Sequence, residues 1–203
     1  MKGVTEHERA LRLQKLCADS VANHVILARS IMNEKQASFT IGTPGDSTYT
    51  AEIVMLRWGH LLVHGDLDAV IFGVCSGYKS WRELLQWMNR ADYGYAEEKA
   101  SIGSTCSEMA RCFDDEVALS KICEWRRQGY IADRETAREL WDHVQGGEWH
   151  EAQMMLYGID FELRLDTVTH PRVFRALAAV KKLCELLDAE AAATADAQVE
   201  ASP

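Results

Sequence analysis

The stretch from Tyr49 to Cys75 constrains the fold of this chain more than any other part of it. Three runs rich in β-branched and aromatic residues, YTAEIVMLRW, HLLVH and AVIFGVC, are separated only by WG and HGDLD. A parallel crossover needs about a dozen residues or more, so connections this short make the strands antiparallel neighbours. Upstream, HVILARS and ASFTIG read as two further short strands around the polar NEKQ, and TPGD is a turn signal. The expectation is a meander of four or five strands.

Helical signals flank this sheet. Thr5 and Glu8 form a T-x-x-E capping box, and Ala10, Leu13, Leu16 and Cys17 recur three and four residues apart, so a first helix runs to about Ser20. Ser80 and Glu83 form a second box, followed by Trp81, Leu84, Leu85 and Met88 on one face. After Ser80 the chain reads as helical, with starts near Asp114, Asp133 and Glu148 and terminating glycines at Gly129, Gly146/Gly147 and Gly158. Pro171 suits the first turn of a last helix through about Ala189, and the tail AEAAATADAQVEASP is expected to fray. The class is therefore α+β: an N-terminal helix, an antiparallel sheet and a helical C-terminal half. The expected organisation is a helix-plus-sheet region with its first packing helices (1–100), a helical extension packed on it (101–190) and a flexible acidic, Ala-rich tail (191–203).

Composition narrows the function classes. Twenty-two Lys and Arg against 31 Asp and Glu leave a net charge of −9, which argues against direct binding to a phosphate backbone. An acidic surface serves solubility, or presents carboxylates to a basic partner such as the nucleic-acid groove of another protein. No run reaches the roughly 18 apolar residues of a membrane span, and MKGVTEHERALRLQ has no apolar signal core. A cytoplasmic location follows as the expectation. The six cysteines form no C-x-x-C pair, and their spacing matches no zinc knuckle; free thiols, no metal and no cofactor are expected.

The stretch FGVCSGYKS, Phe72 to Ser80, invites two catalytic readings, and neither holds. In a phosphate loop Lys follows Gly directly, whereas Tyr78 separates Gly77 from Lys79 and the Gly73–Gly77 spacing is one residue short. The nucleophile elbow, with Cys75 as nucleophile, requires a parallel strand, which this one is not. His60 and His64, with Asp66 nearby, are the alternative site. Strand parity puts both imidazoles on one face, but four residues apart is about 13 Å, too far to share an ion. Gly65 is expected at positive φ in the following turn. The aromatic set is the better candidate: Trp87 lies off the apolar stripe of its helix, next to Tyr93, Tyr95, Glu97 and Glu98, and exposed Trp and Tyr are enriched as interface anchors.

Three quoted segments carry a family resemblance: YTAEIVMLRWGHLLVHGDLDAVIF, SWRELLQWMNR and YAEEK (Tyr95 to Lys99). Their order resembles a family of uncharacterised proteins from tailed bacteriophages and prophages. The match covers about a quarter of the chain, and departs at Trp58-Gly59, where the family usually has Pro-Gly, and at Asp68, where it has a glycine. No reaction carries over from that family. The resemblance implies a phage protein in the cytoplasm of a bacterial host, acting by binding a host protein or a protein–nucleic acid complex. Host defence, CRISPR or restriction, is the favoured target. A small enzyme or ligand-binding domain using His60, His64 and Asp66 is the alternative, and an accessory protein that homo-oligomerises through its C-terminal helices is a third reading.

Overall fold

The computed structural model describes residues 5–46, 50–65, 69–73, 77–102, 111–160, 163, 165 and 168–200. The chain divides into two compact units, one of residues 13–110 with 170–203 and the other of residues 1–12 with 111–169. The division falls inside the first helix, α1 (Glu6–Val21).

The first unit is built on an antiparallel sheet of β1 (Val25–Asn33), β2 (Gln36–Gly42), β3 (Ala51–Leu56), β4 (His60–Gly65) and β5 (Val70–Gly73), in chain order. The α+β class and the meander expected from the sequence are what the chain forms. A sixth strand extends the sheet: after α2 (Trp81–Arg90) and α3 (Tyr93–Lys99), β6 (Ala100–Ile102) pairs antiparallel with β5. Three residues are too few to establish a period, so the sequence carried no signal for it.

Burial alternates along β2, β3, β4 and β5, and this period of two gives the sheet one apolar face. Phe39, Ile41, Ile53, Met55, Leu61 and Phe72 line that face and are buried. Among the described residues two helices supply most of its cover, and α3 adds Ala96. In α2 the buried set is Trp81, Leu84, Leu85 and Met88, the stripe expected, with the Ser80 side chain capping the Glu83 N–H. The second is α7 (Pro171–Glu200), which buries Val173, Ala176, Leu177, Val180, Leu183, Cys184 and Leu187 at alternating steps of three and four. This helix continues through the segment expected to fray. Nothing between Ala189 and Glu200 is Gly or Pro, and alanine has the highest helix propensity, so the backbone stays helical with no core left to bury. All side chains from Asp188 to Gln198 are exposed.

Two turns set the sheet's ends. Arg57, Trp58 and Gly59 link β3 to β4, with Gly59 at φ 81° and its N–H donating to the Leu56 carbonyl. This is a three-residue hairpin with glycine in the left-handed position. Gly65 has the positive φ expected of it, 143°.

The second unit has its own core. Its helices are α4 (Asp115–Gln128), α5 (Arg134–Gly146) and α6 (Trp149–Ile159). Between β6 and α4 lies β7 (Arg111–Cys112), which pairs with β8 (Val168–Thr169) after α6. Asp114 and Asp133 cap α4 and α5 by accepting from Val117 N–H and Thr136 N–H, and Gly129 and Gly147 end them in the left-handed conformation. Gly158 is not the terminator expected; it lies inside α6, which ends at Ile159. Ile122, Trp125, Leu140, Val144 and Leu156 form the centre of this core. From the N-terminal segment Arg9, only 4% exposed, pairs with Asp114. The Thr5–Glu8 capping box forms in both directions, at 3.2 Å and 3.0 Å.

Candidate functional site

The aromatic set singled out in the sequence sits where α2 meets α3. Asp92 caps α3 by accepting from the Tyr95 N–H at 2.8 Å, and this fixes the turn that brings Tyr95 back to α2. Trp87 meets Tyr95 edge to face with ring centroids 4.8 Å apart, and Tyr93 lies 5.5 Å from Phe174 of α7. All three rings are half-buried and pack against the sheet's core. Glu97 is half-buried and Glu98 exposed; Lys99 pairs with Glu98 at 2.7 Å and also lies 5.2 Å from the Tyr95 ring. These residues are brought together, but as a packed corner whose acidic edge is partly neutralised by Lys99.

The histidine face has the predicted parity. Leu61 and Val63 are buried in the core, while His60 is exposed and His64 half-buried on the other face. The partner of His64 is Glu52, directly opposite it on β3, with Nε2 to Oε2 at 2.9 Å. Sequence reasoning missed Glu52, because only the β3–β4 register reveals it. Asp66 and Cys75 lie outside the described residues. Among the described residues no group of three or more His, Cys, Asp or Glu side chains is placed to hold a metal ion, and no helix is long and apolar enough to cross a membrane.

A third cluster lies at one end of the sheet, built by three separate pieces of chain. Glu34 and Lys35 come from the β1–β2 turn, Arg57 and Trp58 from the β3–β4 turn, and Tyr78 and Lys79 from the segment before α2. Together they line a groove of about 560 Å³. The Tyr78 hydroxyl donates to the Leu56 carbonyl at 2.6 Å and accepts from the Gly59 N–H at 2.8 Å, which ties this segment to the hairpin. Trp58 is 74% exposed, the most exposed large hydrophobic side chain among the described residues. The Arg57 guanidinium lies 5.3 Å from its ring, and the Lys35 ammonium 5.9 Å from the Tyr78 ring. Three cations, Lys35, Arg57 and Lys79, surround this groove against one carboxylate, Glu34. This end of the sheet is basic and aromatic, on a chain whose net charge is −9. The signal that could have found it is a tryptophan at a turn tip, where packing gives a large ring nothing to bury.

With this geometry in hand, comparison with known proteins gives no further guide: the chain matches no family model, no curated protein and no solved structure.

Proposed function

We propose that this chain is a phage-derived, non-enzymatic binding protein that inhibits or redirects a host factor, with a CRISPR or restriction complex as the favoured target. The observation that carries the reading is Trp58, a large apolar ring left 74% exposed on a turn that Tyr78 holds in place. Tryptophan and arginine dominate the energetics of protein interfaces, and a ring held out to solvent before binding loses little freedom on docking. The family resemblance of the strand–Gly-Asp–strand segment supports the phage origin. Trp87, Tyr93, Tyr95, Glu97 and Glu98 form a second contact area in this reading.

The test is a tagged pull-down from bacterial lysate, followed by an assay of the captured complex's own defence activity. One stoichiometric partner is expected, inhibited by the wild-type protein and neither bound nor inhibited by Trp58→Ala. Retention of partner and inhibition by both Trp58→Ala and Trp87→Ala sinks the reading, as does turnover of a substrate by the purified protein.

A second reading rests on the His64–Glu52 pair, which gives the outer face of the sheet an imidazole oriented by a carboxylate. As a small ligand-binding or catalytic domain, the protein would lose function on His64→Ala without losing stability. A His64→Ala variant that still inhibits the partner rules this out.

A further inference from the structure

The α4–α5 pair of the second unit borders an open groove of about 700 Å³, within the range of small-molecule sites. Ile122 and Ala137, both buried, form its apolar floor. Arg126 projects from α4, and Arg134, Arg138 and Trp141 follow one another along a single stripe of α5. Arg134 and Arg138 lie one helical turn apart on α5, where their like charges repel, and Arg126 brings a third guanidinium to the same groove from α4. Local carboxylates relieve little of this. Asp142 lies 3.9 Å from Arg138, with both side chains largely exposed, and Glu135 also borders the groove. Among the described residues Arg126 and Arg134 have no ion-pair partner. On a chain of net charge −9, a groove bordered by three arginines, two of them without an ion-pair partner among the described residues, favours an anion.

We propose that this groove binds a nucleoside phosphate, with its phosphates held by Arg126, Arg134 and Arg138 and its base lying on Trp141. Guanidinium groups match phosphate oxygens in paired, charge-assisted hydrogen bonds. The volume is far larger than inorganic phosphate needs, and the apolar floor and indole suit a base and a sugar. Glu135 supplies an acceptor for ribose hydroxyls. The same phosphate-and-base chemistry occurs in a single strand of nucleic acid, and the experiment separates the two sources. The site shares no residue with the Trp58 surface and stands or falls independently of it.

Cys123 is exposed and borders the same groove, which makes its thiol a built-in reporter. Full-length protein is treated with iodoacetamide at low salt, with ADP, pyrophosphate, adenosine or a short oligothymidylate present, and modification of Cys123 is read by peptide mass spectrometry. ADP is expected to protect Cys123, pyrophosphate to protect it more weakly and adenosine not at all. Calorimetric titration with ADP should show affinity weakened about tenfold or more by the exposed-site double variant Arg134→Gln/Arg138→Gln. Trp141→Leu should weaken ADP but leave pyrophosphate unchanged. Circular dichroism identifies any variant that has lost its helices, and the single variant Arg126→Gln then takes its place. The proposal is overturned if millimolar ADP neither binds nor protects, or if the arginine variants bind ADP as the wild type does. Equal protection by pyrophosphate and ADP overturns the nucleoside assignment. Protection by the oligothymidylate at concentrations where ADP gives none overturns the free-nucleotide source.

Discussion

A methyl group added to Gly65 would sit 2.2 Å from the Thr50 carbonyl oxygen, on a residue whose φ is 143°. Both the clash and the backbone conformation oppose any other side chain, and the neighbouring atom is main chain that cannot swing aside. Gly65→Ala is therefore expected to cost about 2–4 kcal/mol, read as a lowered urea midpoint. A loss below about 0.5 kcal/mol would mean that the turn relaxes freely. Cysteine chemistry also belongs to this scale. Burial, with the Asp188 and Glu185 carboxylates adding to it, pushes the Cys184 thiol from 9.0 up to about 12. Its Sγ donates to the Leu85 carbonyl at 3.8 Å. Above pH 9.0 the unfolded chain gives up this proton while the folded chain keeps it. The folded state then binds more protons, so stability present below pH 9.0 is lost as pH rises towards about 12. Cys184→Ala should flatten that alkaline decline in urea titrations. At pH 9 the exposed Cys123 should react with iodoacetamide while Cys184 does not.

At the scale of elements, α7 is two helices in one. Its first half follows a core repeat that ends at Leu187, and from Asp188 to Gln198 every side chain is exposed. Where the two meet, Arg29 on β1 hydrogen-bonds Glu190 and holds its carboxyl below the usual range, but both side chains are about half exposed, so the pair adds little. Deleting residues 191–203 should leave stability within about 0.5 kcal/mol of the full chain, with circular dichroism losing signal for about ten helical residues. A larger loss would mean that this segment has a partner, a second copy included, which light scattering would detect. The start of α7 was legible in Pro171 and the glycine-marked ends of α4 and α5 in their sequences, because each is local chemistry. The end of α7 was not, because helix propensity and burial usually stop together and here they do not.

On the scale of the whole molecule, the described residues form two cores that have no residue in common. Leu183 lies in the sheet's core and Leu140 in the helical one, both fully buried. Truncating either to alanine should cost about 2–5 kcal/mol. Calorimetry is expected to resolve two transitions, one lowered by Leu183→Ala and the other by Leu140→Ala. A single transition lowered equally by both variants would show that the units unfold together.

What the sequence determined by itself is what neighbouring residues decide. Connections too short for a crossover made the strands antiparallel, and side-chain parity put Leu61 and Val63 inward and His60 and His64 outward. Capping boxes at Thr5 and Ser80 began the first two helices. The tertiary structure alone decided what depends on residues far apart in the chain. It placed α7 on the sheet, added β6 to β5, put Glu52 against His64, brought Lys35 and Lys79 to Trp58, and set Arg126 across from Arg134 and Arg138. The physical reason is range. Turn geometry, caps and periodicity act over a few residues, whereas a groove or an ion pair between distant segments exists only once two apolar faces have found each other.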